Sequence, residues 1–193
     1  MVSTVYRTLR IGVKIESIAE EARYLIGRGV KEINLIGQDT TLYGIDIYGR
    51  AALPGLLKKL AALKGARWLR LMYAHPAHIG GELISVISGE EHICKYIDLP
   101  IQHISDRILK AMRRGTSRRS IEELLAELRG RIPGIAIRTA VIAGFPGETE
   151  GEFGELLDFV KEARFSRLGA FVYSEEEGTP AANAKGKIPE KEK

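Results

Sequence analysis

The sequence predicts an α/β fold built on a parallel sheet, and three observations carry the prediction. Short apolar runs alternate with amphipathic segments of ten or so residues, the alternation parallel strands require because each connection crosses back over the sheet. Polar and glycine-rich stretches gather directly after the apolar runs, as they do where strand ends form a ligand site. The chain is 193 residues with 45% hydrophobic content, enough for one ordinary domain with a core of its own.

The elements follow in order. Glu16 to Arg28 places Ile18, Ala22, Leu25 and Ile26 on one helical face and stops at Gly29, a residue suited to the position beyond a helix C-terminus. Val30 to Ile36 reads as a strand and runs into the polar stretch "GQDTTLYG". Leu53 to Leu63 is helical, Trp68 to Tyr73 is a strand ending in "AHPAH", and Ile79 to Ser88 is helical again. Lys95 to Leu99 is a strand leading into "PIQHISD", followed by helices at Asp106 to Arg113 and Ser120 to Arg131. Ile135 to Ala143 is a strand ending in "GFPGETE", its helix runs from Thr149 to Arg164, and Arg167 to Tyr173 is a strand ending in "SEEEGTP". These five loops should converge on one face. By itself "GFPGETE" suits a strand end at a pocket and also a plain turn before a helix, whose N-terminus the acids would favour. Residues after Thr179 lack periodicity and read as a linker, so the domain is placed at 1–178 and the linker at 179–193.

Composition narrows the function. Apolar runs fall well short of the roughly 18 residues of a membrane helix, and the start has no secretory pattern. The expectation is a soluble, cytoplasmic chain without a membrane partner. The single cysteine, Cys94, excludes an internal disulfide and cannot build a thiolate metal site alone; packing as a small hydrophobe is the simpler role. Of the four histidines, His75 and His78 are close, but no carboxylate falls at a sequence spacing that completes a zinc set, so no metal site is assigned. Much of the net charge of +4 sits in "KAMRRGTSRR", where Arg113, Arg114, Arg118 and Arg119 could meet RNA or form a solvated helix end.

Read together, "EINLIGQDTTLYGID", "LPIQHISDRILKAMRRGTSR", "IPGIAIRTAVIAGFPGETEGEF" and "FVYSEEEGTPAA" closely resemble, in order and spacing, the central domain of the radical S-adenosylmethionine methylthiotransferases. The resemblance spans about Lys14 to Ala184. "GQDTTLYG" and "LPIQHISD" resemble the branch that methylthiolates an aspartate of a small-subunit ribosomal protein, the RimO family, more than the branch that modifies tRNA adenosine. The resemblance implies a partial TIM barrel of six βα units, with "YRTLRI" (Tyr6 to Ile11) as first strand. It also implies a transferase that uses S-adenosylmethionine and 4Fe-4S clusters, one of them held by a CxxxCxxC loop after that strand, and a ribosomal protein as partner. In the family the cofactors carry the difficult chemistry while the protein positions them.

The site residues below are what this resemblance implies. Gly37, Gln38 and Asp39 stand where the superfamily receives the methionine ammonium, a group with three donors and no acceptor. Gln102 would contact the ribose or methionine end, with His103 and Ser105 beside it. Arg138 would meet the methionine carboxylate with a planar guanidinium fork. Ile142 and Gly144 match the second half of a "GxIxG" element against adenine, its leading position being Ala140, and Tyr173, within Phe171 to Ser174, would lie along the other edge. No catalytic residue is assigned.

One departure is large. Ile11 runs through Gly12 and Val13 straight into "KIESIAEEA", so the three-cysteine loop is missing between recognisable flanks, either truly deleted or left out of this chain. The fragment as written should therefore be inert. Two other readings stay open: a tRNA adenosine methylthiotransferase core, and a cluster-less module that binds S-adenosylmethionine or the ribosome.

Overall fold

A computed structural model of the chain describes residues 4–8, 12–179, 181 and 184–193. Among these residues six strands form two three-stranded parallel sheets. β1 (Thr4–Thr8), β2 (Glu32–Ile36) and β3 (Trp68–Leu71) lie in that order in one; β4 (Tyr96–Asp98), β5 (Ala136–Ala143) and β6 (Arg167–Val172) form the other. A parallel bridge between Leu69 and Ile93 joins the two, and the Ala74 N–H donates to the Asp98 carbonyl at 2.9 Å. The result is the predicted partial barrel, with β1 and β6 at its ends. The sequence places the first strand at Tyr6 to Ile11; its last three residues lie outside those described.

The helices cover the outside. They are α1 (Ile15–Gly27), α2 (Ile45–Tyr48), α3 (Leu53–Ala61), α4 (Gly81–Gly89), α5 (Asp106–Ala111), α6 (Arg118–Arg131) and α7 (Glu150–Ala163). The 3.6-residue period of α3 puts Leu53, Leu56, Leu57 and Leu60 on one stripe, each fully buried. Burial of such a side chain contributes about 1.5–3 kcal/mol before the ordering cost is set against it. The stripe packs against Leu35, Leu69 and Leu71 of the first sheet within one continuous core. No helix among the described residues is long and apolar enough to cross a membrane.

Two boundaries of the sequence reading shift for local reasons. "GQDTTLYG" is not simply irregular: Asp39 caps a 3-10 turn at Thr40–Leu42, and α2 follows between Gly44 and Gly49. The α6 helix starts earlier than Ser120, because Ser117 and Ser120 form a reciprocal capping box. In the segment read as a linker, residues 184–193 lie back against the strand ends, and the Gly147 N–H donates to the Gly186 carbonyl at 2.7 Å.

Candidate functional site

The loops after β2, β3 and β4 and residues of β5 and β6 converge on a cavity of about 370 Å³, while the loop after β5 lines a separate hollow. Gln38, Gln102, Arg138 and Ile142, all singled out in the sequence, line it together with Tyr73, His75, Asp98 and Arg114. Gly37 lies alongside, in a hollow shared with Gln38 and Tyr73.

Two wall residues have unusual backbones. Tyr73 (φ 54°) and Gln102 (φ 69°) both sit in the left-handed region, which is costly for residues other than glycine and is concentrated at functional sites. Gln102 is held there by its neighbour strand: its N–H donates to the Ala140 carbonyl at 2.9 Å, and its carbonyl accepts from the Ile142 N–H at 2.8 Å. Beneath them, Thr139 Oγ1 donates to the Leu99 carbonyl at 2.8 Å and accepts from the Ile101 N–H at 3.3 Å, fixing the exit from β4.

Asp98 anchors the floor. Its side chain is fully buried, accepts from Arg138 Nη1 at 2.8 Å and from the Tyr73 N–H at 3.1 Å. Arg138 is thus neutralised inside the chain, and Asp98 is the main cause that raises its pKa. A carboxylate reaching Arg138 would share it with Asp98.

Glu148 and its neighbours build the wall after β5. His103 Nδ1 accepts from the Ser105 N–H at 3.0 Å, which leaves Nε2 to carry the proton and donate to Glu148 Oε1 at 3.2 Å. Glu148 Oε2 accepts the N–H groups of Gly144 (2.5 Å) and Phe145 (3.0 Å), so the Gly-Phe-Pro-Gly turn closes on one buried carboxylate. Glu152 ties the same turn to the loop after β4. It accepts from Ser105 Oγ at 2.9 Å and Arg107 Nε at 2.8 Å while capping Thr149, and Arg107 first, with Thr149 and Ser105, holds its carboxyl down at about 2. His103 and Ser105, placed beside the ligand by the sequence reading, act as braces behind it.

Three expected site residues are arranged differently from Gln38 and Gln102. The Asp39 side chain turns away from the cavity: Oδ1 accepts from the Thr41 N–H at 3.0 Å and Oδ2 meets His78 Nδ1 at 2.7 Å. Gly144 takes a left-handed backbone (φ 77°) that favours glycine, and a Cβ there would meet the Lys193 side chain at 2.6 Å. Tyr173 packs edge-on against Phe145 at 5.4 Å, with Lys193 Nζ 5.5 Å from its ring centroid and donating to its carbonyl at 3.0 Å. Its hydroxyl is buried without a hydrogen-bond partner among the described residues.

The fold also assembles what spacing along the chain did not reveal. Asp39, His75 and His78 offer ligand atoms within 4.8 Å of one another, so the carboxylate missing from the histidine pair comes from the loop after β2. Their hydrogen bonds make the trio a brace. His75 Nδ1 accepts from the Ala77 N–H at 3.2 Å, and its pKa is lowered by burial and then by Arg114.

The basic cluster divides. Arg118 pairs with Glu122 and Glu155 and Arg119 with Glu123, each at 2.8 Å, while Arg114 turns into the cavity and Lys110, Arg113 and Arg119 are exposed.

The sequence matches the Radical SAM superfamily over residues 6–160. The chain belongs to this superfamily. It is 54% identical over 179 residues to the ribosomal protein uS12 methylthiotransferase RimO of Geotalea uraniireducens (strain Rf4), covering 93% of this chain and 40% of that protein. The RimO of Geobacter sulfurreducens is equally similar, 54% over 179 residues with the same coverage. The chain therefore spans about 40% of the length of these relatives. Among solved structures, the radical S-adenosylmethionine methyltransferase TsrM from Kitasatospora setae, with cobalamin and a 4Fe-4S cluster bound, superposes with a TM-score of 0.69 at 19% identity, over 88% of this chain and 33% of that one. Coproporphyrinogen III oxidase (HemN) from Escherichia coli, a radical SAM enzyme, gives 0.67 at 16% identity, over 99% and 49%. At these identities the two structures show the fold alone, a partial βα barrel.

The residues present do not fit an iron-sulfur cluster, which needs a set of thiolates. Cys94, the single cysteine, lies before β4 at the amino ends of the strands, opposite the cavity, and burial pushes its thiol up. Where the cluster loop would enter, the described flank is closed: the Gly12 N–H donates to Asp46 Oδ2 at 2.6 Å, the Ile15 N–H to the Tyr48 hydroxyl at 3.0 Å, and the Tyr43 hydroxyl to the Val13 carbonyl at 2.7 Å.

Proposed function

We propose that this chain is the S-adenosylmethionine-binding core of a radical SAM methylthiotransferase whose substrate is an aspartate of the small-subunit ribosomal protein uS12. The observation that carries the reading is the 54% identity to uS12 methylthiotransferases across 93% of the chain. The cavity supports it. Gln38 and Gln102 offer amide groups at the ends of two different strands, and Ile142 adds an apolar face. Gly37 and Gln38 would take the ammonium end, Gln102 the ribose, and Ile142, Gly144 and Tyr173 the adenine. Asp39 would then act through its cap on the loop. When bound, S-adenosylmethionine supplies the sulfonium chemistry of the superfamily; the chain's own residues bind it, orient it and exclude water. The ribosomal protein is the proposed partner, RNA contact through the outward Arg113 and Arg119 belongs to the same proposal, and the cytoplasm is the compartment it implies.

Activity belongs to a protein that also carries the cluster thiolates. A second reading, a binding module without redox chemistry, is favoured by the single cysteine. The DNA encoding the Ile11 to Lys14 junction separates the two: a stretch with three cysteine codons supports the enzyme, and a direct junction supports the module. Given the cysteines, anaerobic reconstitution with iron and sulfide should yield 5'-deoxyadenosine on reduction. An assembled cluster that leaves S-adenosylmethionine intact would refute the enzymatic reading.

A further inference from the structure

A second hollow, of about 590 Å³, opens inside the barrel on the amino side of the Arg138–Asp98 pair. In a filled α/β barrel, layers of branched apolar side chains occupy this space. Strand alternation here turns Glu32 and Asn34 of β2, Arg70 of β3, Tyr96 of β4 and Arg167 of β6 toward the hollow, while Leu35, Leu69, Leu71 and Ile137 join the core under the helices. Strand register makes Arg138 and Arg167 direct neighbours, and like charges placed so repel.

The acids present do not settle all of this charge. Arg70 Nε donates to Glu32 Oε1 at 2.6 Å, with its guanidinium 4.7 Å from the Tyr96 ring centroid, and Arg138 takes Asp98. Arg167 has no ion pair among the described residues. Three guanidiniums against two carboxylates leave one positive charge facing the hollow. Asn34 is 3% exposed, and its side chain makes no hydrogen bond among the described residues. A buried amide without a partner calls for something polar to meet it.

We propose that the lumen of the barrel binds a small monovalent oxyanion, held by Arg167 and Asn34 and distinct from the cavity at the strand ends. A carboxylate answers the single leftover charge, one oxygen on the arginine fork and the other on the amide N–H, whereas a dianion exceeds it. The carboxylate can belong to a free organic acid or to an acidic side chain of a polypeptide entering between β1 and β6, which do not pair. Asn34 and Arg167 have no part in the proposed binding of S-adenosylmethionine, so the site stands whether or not that function does.

The test uses the whole chain, with arginine and asparagine side-chain nitrogens labelled for magnetic resonance, at constant ionic strength. Acetate should move the Arg167 Nε and Asn34 Nδ2 resonances along one saturable curve, with chloride and sulfate moving them less. Arg167→Gln, read at Asn34, should weaken acetate about tenfold or more, the loss of a charge-assisted hydrogen bond. Asn34→Leu, read at Arg167, should also weaken it, and the exposed Arg167 carries the test alone if that variant does not fold. Arg50→Gln, which removes an exposed cation elsewhere, should change nothing. N-acetyl-aspartate N-methylamide is then compared with its asparagine counterpart. Binding of the aspartate compound at least as tightly as acetate assigns a polypeptide side chain; binding of acetate alone assigns a free acid. Resonances that drift without saturating, that follow chloride, sulfate or the asparagine compound as well as acetate, or that titrate unchanged in Arg167→Gln overturn the site and leave the hollow to water.

Discussion

Gln102 holds a left-handed backbone that its neighbours enforce from both sides, and that strain belongs to one residue. Replacing it tests whether the conformation or the amide matters. Gln102→Gly should be more stable than Gln102→Ala by about 1 kcal/mol, because only glycine adopts this φ without steric cost. Both should lose ligand affinity, so urea midpoints and binding would part company. Glu148, one of the acids after β5, holds the Gly-Phe-Pro-Gly turn as a buried clamp. Glu148→Ala leaves two backbone N–H groups and the His103 Nε2–H without an acceptor, and should cost about 3 kcal/mol in urea unfolding. Neither residue's main partner could be read along the chain. Gln102 bonds across to β5, and His103 lies 45 residues from Glu148. The sequence supplied residue types at strand ends; it could not say which would face the ligand and which would hold the wall. Asp98 is the clearest omission, though an acid inside the short run "KYIDLP" was a usable signal, since a buried carboxylate in a strand demands a partner.

At the scale of elements the sequence was more legible, because strand and helix periods are local. Five strands and six of the helices lie where hydrophobic periodicity put them, within two or three residues at each end. The differences have local causes, such as the serine capping box that starts α6 early and the Asp39 turn that orders "GQDTT". The start of α7 offers two predictions. Thr149→Ala removes the hydroxyl that accepts from the Glu152 N–H and should lower stability by about 1 kcal/mol. Glu152, held at about 2 against an ordinary 4.5, contributes stability that is present above 4.5 and is lost as pH falls from there toward 2. Across that window the wild-type unfolding midpoint should fall more steeply than that of Glu152→Gln. Parallel slopes would remove Glu152 as a working link between α5 and α7.

For the molecule as a whole, the barrel and its cavity are one unit, but part of the expected binding face is covered. Residues 184–193 lie over Gly144 and Tyr173, with Lys193 where an adenine edge is proposed to rest. If that face takes adenine, the segment must move, and a covered site binds more weakly by the fraction of time it is closed. Deleting residues 184–193 should therefore strengthen binding of 5'-methylthioadenosine, measured by equilibrium dialysis, and an unchanged affinity would place adenine elsewhere. The sequence could not foresee this contact, because a segment without periodicity carries no signal for where it docks. The most direct test of the function is mass spectrometry of uS12 and of tRNA nucleosides from the source organism with and without the gene for this protein. Disruption should remove a methylthio group from one uS12 aspartate and leave tRNA unchanged. An unmodified uS12 in both strains, with methylthioadenosine lost from tRNA, would contradict it.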